Sequence, residues 1–171
     1  MHIKKLNLGC GDVKILGFLG VDRVKTLATD LVHDLNILPY PFADNSVEEI
    51  IADNILEHLE DVISVMEELY RVCQNGAVVK VSLPYYKSSG AFTDPTHKHF
   101  FTENSFQYFS PEHEYHFYTK AKFKILKIQL LAKDFGDRRH KLRNLLPFKK
   151  FFNFFLFNIY DEIYFELKCV K

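Results

Sequence analysis

The hydrophobic pattern alternates short apolar runs with amphipathic stretches, which is typical of a sheet whose strands are separated by helices. The clearest helix spans Glu60–Cys73, where apolar residues recur at helical spacing on one face. Asn75-Gly76 predicts the end of that helix, since glycine is common just past a helix C-terminus. The apolar runs predict strands at Ile3–Leu8, Phe18–Val21, Thr29–His33, Val47–Ala52, Ala77–Leu83, Phe123–Leu131 and Ile163–Val170.

The connections between these runs are short. Gly11–Leu19 separates the first two strands and is too short for an ordinary crossover helix, so a short or degenerate first helix is predicted. Leu35–Asn45 contains two prolines and an Asp-Asn turn signal and is predicted to be a loop. Thr102–Phe109 is predicted to be a short helix with Thr102 as its N-cap. The alternation as a whole predicts a doubly wound α/β sheet.

A glycine loop and a series of acids coincide with the predicted strand ends. The run Leu6–Gly11 reads Leu-Asn-Leu-Gly-Cys-Gly, and later strands end at Asp22, at Asp34 and at Asp53-Asn54. Ligands of such sheets bind at the carboxyl ends of the strands, and glycine lets a ligand approach bare backbone. The order of these residues predicts a pocket for a nucleoside with a polar tail.

Composition and charge limit the class of protein. The 171 residues are 47% apolar and 26% charged, which predicts a single globular domain over 1–171. Residues 1–70 hold 5 Lys and Arg against 13 Asp and Glu, whereas residues 71–171 hold 17 against 9. This asymmetry indicates either an interaction surface or helix surfaces of different sign.

The cysteines and the N-terminus bear on location. Cys10, Cys73 and Cys169 are far apart and odd in number, which favours a reducing compartment over a disulfide framework. The N-terminus begins with strand-like residues rather than a signal peptide, and no apolar stretch of about 20 residues is present. A cytoplasmic protein is therefore predicted.

These features together resemble the class I S-adenosylmethionine-dependent methyltransferases, specifically their small "type 11"-like branch. The similarity covers roughly residues 4–84 continuously, and a later segment at 94–109 resembles one subgroup of that family. It rests on the segments LNLGCG (6–11), GVD (20–22), VHDLNILPYPFADNSVEEI (32–50), ADNILEHLED (52–61), ELYRVCQNGAVVKVSLP (68–84) and DPTHKHFFTENSFQYF (94–109). The resemblance implies a methyltransferase with a mostly parallel, seven-stranded Rossmann-like sheet whose last strand is antiparallel, and with S-adenosylmethionine as cofactor.

The resemblance also implies roles for individual residues. The glycine loop would lie against the methionyl part of the cofactor, and the acid after the second strand would accept hydrogen bonds from the ribose hydroxyls. The acid after the third strand would accept from the adenine amino group, and the residues after the fourth strand would lie near the sulfonium. In chain order these residues are Asn7, Gly9, Cys10, Gly11, Asp22, Asp34, Leu35, Asp53 and Asn54. The alternative for any single acid is a solvated strand-end residue or a helix cap.

Methyl transfer needs a general base only when the acceptor is a poor nucleophile. The candidates are His58, which follows the fourth strand, and Asp94 and His97, in a loop after the fifth strand. The alternatives are a helix-start residue for His58 and an Asp-Pro turn for Asp94. The pairs His97/His99 and His113/His116 have metal-like spacing, but no cysteine joins them, so ordinary surface histidines and no metal site are expected.

The segment at about 134–160 is too long for a simple hairpin between the last two strands. It is both basic and rich in phenylalanine, and three interpretations remain open: a core or dimer helix, a lid over the acceptor site, or an interfacial membrane helix. Its cations are Arg138, Arg139, Lys141, Arg143, Lys149 and Lys150, and the positions at helical spacing are Phe148, Phe151, Phe152, Phe155 and Ile159.

The expected partners follow from these alternatives. They are a small-molecule, glycan or lipid acceptor, and a homodimer or peripheral membrane contact through residues 138–160, but not nucleic acid. Two other functions remain as alternatives. One is a non-catalytic, cofactor-binding partner subunit of the same fold. The other is a nicotinamide-dependent oxidoreductase, which would share only the glycine loop and the ribose acid.

Overall fold

The computed structural model describes residues 4–171, and the side chain of His116 is also outside the described part. Ile3, the predicted first residue of the first strand, therefore lies outside the described residues. The strands are β1 (Lys5–Leu8), β2 (Leu19–Asp22), β3 (Leu31–Val32), β4 (Val47–Asp53), β5 (Cys73–Pro84), β6 (Phe123–Leu131) and β7 (Glu162–Cys169). The helices are α1 (Val62–Val72), α2 (Gly90–Thr93), α3 (Arg138–Leu145) and α4 (Lys149–Phe155), with short 3₁₀ turns at Leu56–His58, Ser105–Phe109 and His116–Tyr118.

All seven strands form one sheet in the order β3-β2-β1-β4-β5-β7-β6. Neighbouring strands from β3 to β5 are parallel, whereas β7 runs antiparallel to both β5 and β6. The predicted fold class, a mostly parallel Rossmann-like sheet with an antiparallel last strand, is confirmed. This order brings the carboxyl ends of β1, β2 and β4 together at one edge of the sheet.

The core follows the central strands. Leu6, Ile50, Val79 and Phe165, one from each of β1, β4, β5 and β7, are fully buried and belong to one apolar cluster. The helix predicted at Glu60–Cys73 is present as α1, which begins after Asp61 because that carboxylate accepts the N–H groups of Ile63 and Ser64.

The predicted last residue of that helix, Cys73, is one residue beyond the observed end, but the predicted role of Asn75-Gly76 was wrong. The helix stops at Val72, and Asn75-Gly76 lies inside β5 instead of capping α1. The register between β4 and β5 shifts there, and Gly76 has a positive φ of 86° that suits the irregularity. Thr102 also differs from expectation, because the 3₁₀ turn begins at Ser105 and Thr102 forms a local turn before it.

The short first helix is absent in the part of the chain that the structure describes. Residues 11–18 form turns, and the Asn7 side chain closes them by donating to the carbonyl of Val13 over 3.1 Å. The segment is too short to reach across the sheet as a helix, so a compact loop makes the crossover.

The segment between β6 and β7, which we call the insert (residues 134–160), contains α3 and α4. Arg143 of α3 is nearly buried and holds both carboxylate oxygens of Asp161, at 2.8 and 2.7 Å. In contrast, Phe148, Phe151, Phe154 and Phe155 at α4 keep between 63% and 81% of their surface exposed. These four phenylalanines therefore do not pack into the core. No helix within residues 4–171 is both long and apolar enough to cross a bilayer.

Candidate functional site

A cavity of about 460 Å³ opens at the carboxyl ends of β1, β2, β3 and β4. This is the position at which such sheets bind ligands, and the volume suits a nucleoside-sized molecule. Its walls come from the glycine loop, from the two acids after β2 and β3, and from the turn after β4. The lining residues are Gly9, Asp22, Arg23, His33, Asp34, Leu35, Asn36, Asn54, Ile55, His58, Leu59, Thr96 and Lys98.

The glycine loop is shaped by backbone that other residues rarely adopt. Gly9 has a φ of 63°, and a Cβ atom there would lie 2.6 Å from Cγ1 of Ile55, which also lines the cavity. Gly11 also has a positive φ, of 49°, but a Cβ there would meet open space. The loop therefore presents bare backbone beside the cavity, and only glycine fits at its first position.

The two acids are fixed by hydrogen bonds from the backbone. Asp22 accepts the N–H of Gly11 through one carboxylate oxygen and the N–H of Val24 through the other, each over 2.9 Å. Asp34 accepts from both the backbone and the side chain of Asn36. A carboxylate has about four lone-pair sites, so each acid retains capacity for ligand hydroxyl or amino groups.

Several residues predicted to bind the cofactor lie beside the cavity rather than on its wall. Asn7 and Cys10 are buried beneath the loop, and Gly11 turns its N–H toward Asp22. Asp53 is exposed and accepts the side-chain amide of Asn54, which does line the cavity. Among the predicted residues, the structure places Gly9, Asp22, Asp34, Leu35, Asn54 and His58 on the wall.

Three side chains form a hydrogen-bonded chain that ends at His58. The hydroxyl of Thr96 donates to Asp94 over 2.7 Å and lies 2.8 Å from Nδ1 of His58. Since that hydroxyl proton is given to Asp94, Nδ1 of His58 donates and its Nε2 keeps a lone pair. Burial, followed by the charge of His97, lowers the pKa of His58, which favours the neutral ring.

His97 lies against His58, with ring centroids 4.8 Å apart. Its Nδ1 is 2.9 Å from the carbonyl of Ala91, which can only accept, so in the neutral ring Nε2 of His97 also keeps a lone pair. His99 is held elsewhere, by the carbonyl of Leu59. The structure thus brings together the predicted candidates His58, Asp94 and His97.

Glu57 completes this group and was missed by the sequence analysis. It is fully buried, and neither of its carboxylate oxygens has a hydrogen-bond partner. Burial raises the pKa of Glu57 to about 7, and the carboxylates of Asp53, Glu162 and Asp94 add to the shift. One signal could have identified it: Glu57 directly precedes His58 within a segment already singled out at 52–61.

A second cavity, of about 670 Å³, lies between the end of β5 and the insert. Pro84 and Gly90 form one side of it, and the insert supplies Arg139, His140 and Phe157 on the other. Glu162, one of the carboxylates that act on Glu57, also lines it. Glu57 itself lines neither cavity, whereas its neighbour His58 lines the first.

Comparison with known proteins agrees with this geometry. Residues 20–81, less than half of the chain, match the family model of a methyltransferase domain. No curated protein gives a significant match. The family match includes the acids after β2 and β3 and the whole of α1.

Solved structures are similar over nearly the whole chain. A SAM-dependent methyltransferase from Archaeoglobus fulgidus has a TM-score of 0.68 at 15% identity, covering 96% of this chain and 85% of that chain. An S-adenosylmethionine-dependent methyltransferase from Mesorhizobium loti has a TM-score of 0.62 at 13% identity, covering 98% and 91%. A complex of the Haloferax volcanii Trm112 methyltransferase activator with a methyltransferase has a TM-score of 0.62 at 14% identity, covering 99% and 84%.

The resemblance to class I S-adenosylmethionine-dependent methyltransferases is thereby confirmed. At sequence identities of 13% to 15%, the solved structures show only the fold. The match to the family model identifies a methyltransferase domain in residues 20–81. Together they indicate S-adenosylmethionine as the cofactor. The first cavity fits that molecule, because it combines a glycine cradle with carboxylates placed for hydroxyl and amino groups.

Proposed function

We propose that this chain, which carries a methyltransferase domain of the class I fold, transfers a methyl group from S-adenosylmethionine to an acceptor bound beside His58. The observation that carries the proposal is the cavity at the carboxyl ends of β1 to β4. It joins the strained glycine at position 9 to the acids Asp22 and Asp34 in a single wall.

The residues of this wall bind and orient the cofactor. Bound S-adenosylmethionine supplies a methyl group on a sulfonium, which moves by in-line displacement onto a lone pair of the acceptor and leaves neutral S-adenosylhomocysteine. Asp22 would hold the ribose hydroxyls by charge-assisted hydrogen bonds, and Asp34 would accept from the adenine amino group. Gly9 keeps side-chain atoms away from the methionyl part. Positioning of this kind supplies most of the catalysis when the leaving group is already good.

His58 is our candidate for the proton acceptor. Asp94 and Thr96 fix its ring so that Nδ1 donates and Nε2 presents a lone pair. The lowered pKa of His58 keeps that nitrogen unprotonated near neutral pH. An acceptor hydroxyl or amine at Nε2 could therefore lose its proton to His58 as the new bond to carbon forms.

We place the body of the acceptor in the second cavity, beneath the insert, with the group to be methylated reaching His58 at the first cavity. This corresponds to the lid interpretation of residues 134–160, since Phe157 and His140 of the insert form part of the wall. The cavity offers both apolar and cationic side chains. An acceptor with an apolar body and a polar or anionic group would suit such a lining.

Calorimetric titration of the purified protein with S-adenosylhomocysteine tests the proposal. We expect S-adenosylhomocysteine to bind at micromolar concentrations and NAD to give no heat of binding. A nicotinamide-dependent enzyme would share only the glycine loop and the ribose acid of this cavity. Binding of NAD alone, or of neither molecule, would overturn the proposed cofactor and with it the proposed reaction.

A second candidate is a cofactor-binding subunit that acts through a partner. One observation favours it: the phenylalanines of α4 expose a large apolar surface that isolated proteins rarely leave bare. A structural neighbour is a complex that contains a methyltransferase activator. Cofactor binding without transfer to a broad panel of acceptors would favour this candidate.

All three cysteines are free and buried, which fits the cytoplasmic location that we include in the proposal.

A further inference from the structure

The side chain of Glu57 requires an explanation, because its buried carboxyl oxygens are left without a partner. A fully buried carboxylate is normally hydrogen-bonded or paired with a cation, since burial of an isolated charge is costly. Here neither oxygen has a hydrogen-bond partner. A cation bound beside Glu57 would satisfy both oxygens.

The side chains next to Glu57 are those that bind metal ions. One ligand atom from each of Glu57, His58 and His97 lies within 4.8 Å of the other two, a spacing that a single ion could bridge after small adjustments. Two imidazoles and one carboxylate form a ligand set typical of zinc and of other first-row divalent ions.

The surroundings of the two histidines are also those of metal ligands. A ligating histidine usually donates its second ring N–H to an oxygen, which fixes the ring and the tautomer. His58 donates Nδ1–H to the hydroxyl of Thr96, and His97 donates Nδ1–H to the carbonyl of Ala91. Each ring is therefore oriented by an oxygen acceptor, and each keeps its Nε2 lone pair for a ligand.

We propose that Glu57, His58 and His97 bind one divalent first-row transition-metal ion beside the first cavity. Three protein ligands leave at least one coordination position open, as in catalytic rather than structural sites. Of the three ligands, His58 lines the first cavity, where the proposed methyl donor binds, and we assign the open position to the acceptor. The ligand expected there is an acceptor oxygen.

This inference rests on the proposed function and changes one part of it. An ion on Nε2 of His58 occupies the lone pair that would otherwise accept a proton. The ion instead lowers the pKa of a coordinated acceptor hydroxyl, whose proton passes to solvent. The acceptor oxygen then forms its bond to the methyl carbon while the carbon–sulfur bond breaks, with its electron pair left on sulfur. The acceptor class is accordingly an alcohol or phenol.

Metal binding to the full chain tests the site without any acceptor. The protein is stripped with a chelator and titrated with Zn²⁺ against a chromophoric competitor, and with Co²⁺ to record the visible spectrum of the bound ion. We expect one ion per chain. Glu57→Gln and His97→Ala should each weaken Zn²⁺ affinity by more than the roughly 10–100-fold expected for Thr96→Ala, which removes only an outer-shell partner.

His99→Gln is the matched control, because His99 lies two residues from His97 but is bound to the carbonyl of Leu59. It should bind Zn²⁺ like the parent protein. Glu57→Gln keeps the shape of the side chain and removes the anionic ligand oxygen. Zn²⁺ should raise the melting temperatures of the parent and of His99→Gln, but not that of Glu57→Gln.

Failure of this inference can be distinguished from failure of the proposed function. Binding of S-adenosylhomocysteine is measured in the same samples. If that ligand binds but Zn²⁺ does not bind at one ion per chain, the metal site is overturned and the methyltransferase proposal stands. Unchanged Zn²⁺ affinity in both Glu57→Gln and His97→Ala would also overturn the site, and loss of binding of both ligands by the parent protein would overturn both proposals.

Discussion

The two cavities are built in different ways. The cofactor side is shaped by backbone: Gly9 adopts a positive φ, and Asp22 is held by main-chain N–H groups. The second cavity, in which we propose that the acceptor binds, is held by side chains, which link the insert to the residues that follow β5. Asn153 donates to the hydroxyl of Tyr85, and Asn158 accepts from Ser89. The first cavity is therefore fixed by the sheet, whereas the second depends on a few replaceable contacts.

The largest expected effect concerns the ion pair that anchors the insert. Arg143→Met removes the ion-pair partner of the partly buried Asp161 carboxylate, which then retains the N–H of Lys133, and breaking such an ion pair typically costs about 3–5 kcal/mol. We expect the insert to open locally while the sheet stays folded. Hydrogen exchange of amides in residues 134–160 should accelerate, and methyl transfer should fall with little change in the affinity for S-adenosylhomocysteine.

Arg139→Met provides the control for this variant. Arg139 lies on the same helix, but its side chain is 93% exposed and only 3.7 Å from Asp137. It should leave hydrogen exchange unchanged, because exposed ion pairs contribute little. Equal acceleration in both variants, or loss of cofactor binding in Arg143→Met, would contradict the separation of the two sides.

The next effect concerns the cofactor side. Asp22→Ala should weaken the affinity for S-adenosylhomocysteine by about 100-fold or more, because two hydrogen bonds to a charged group are lost at about 1.5–3 kcal/mol each. Calorimetry measures the change, and circular dichroism checks the fold. Asp30→Ala is the matched control, since Asp30 also accepts a backbone N–H, from Gly20, but does not line the cavity. Equal losses in both variants would contradict the role of Asp22.

A smaller effect, on the free energy of unfolding, is expected on substitution of two glycines that adopt a positive φ. Gly9→Ala combines a strained backbone with a contact of 2.6 Å to Ile55, whereas Gly17→Ala introduces only the strain, since its Cβ meets open space. The strain costs about 1–2 kcal/mol at each position, and crowding adds about 1–3 kcal/mol at Gly9. Urea denaturation should therefore show the larger loss of unfolding free energy for Gly9→Ala. Equal losses would show that the loop can move away from Ile55.

The smallest effect is a dependence of stability on pH. Burial alone would raise the pKa of Glu68, but hydrogen bonds from Arg71 and from the N–H of Tyr40 outweigh it, and the net pKa is lowered. The stabilisation is therefore present above the unfolded-state pKa of 4.5 and is lost as the pH falls through the lower folded-state value. Urea midpoints should decline below about pH 4.5, and Glu68→Gln should flatten that decline. A parallel decline in the variant would assign the effect to other groups.

Most of the sheet could be predicted from the sequence, because its strands are short apolar runs that end at turn signals. β6 was predicted with its observed bounds, and α1 within two residues at its start. The end of α1 was also predicted within one residue, but the role of Asn75-Gly76 could not be, since this pair serves equally well as a helix stop or as an irregular point in a strand. Pairing of Cys73 with Val47, a contact far apart in the sequence, decided the outcome.

The residues of the candidate site were likewise predictable only in part. Asp22 and Asp34 could be predicted to lie at the cavity because strand order alone brings their positions together. Glu57 could not, because its importance depends on burial and on the loop that carries His97, about 40 residues later in the chain. Likewise, the exposure of the α4 phenylalanines depends on how the insert folds back, which helical spacing does not specify.

The two ends of the insert are joined at its base. The carboxylate of Asp161 accepts the N–H of Lys133 over 2.7 Å, and its own N–H donates to the carbonyl of Leu131 over 2.8 Å. A different loop could therefore bridge the same hairpin without altering the pairing of β6 with β7, because loop length changes the closure entropy only slowly. Under the proposed function, the insert is thus an exchangeable module, through which evolution or a protein engineer could select a new acceptor while retaining the same cofactor cavity.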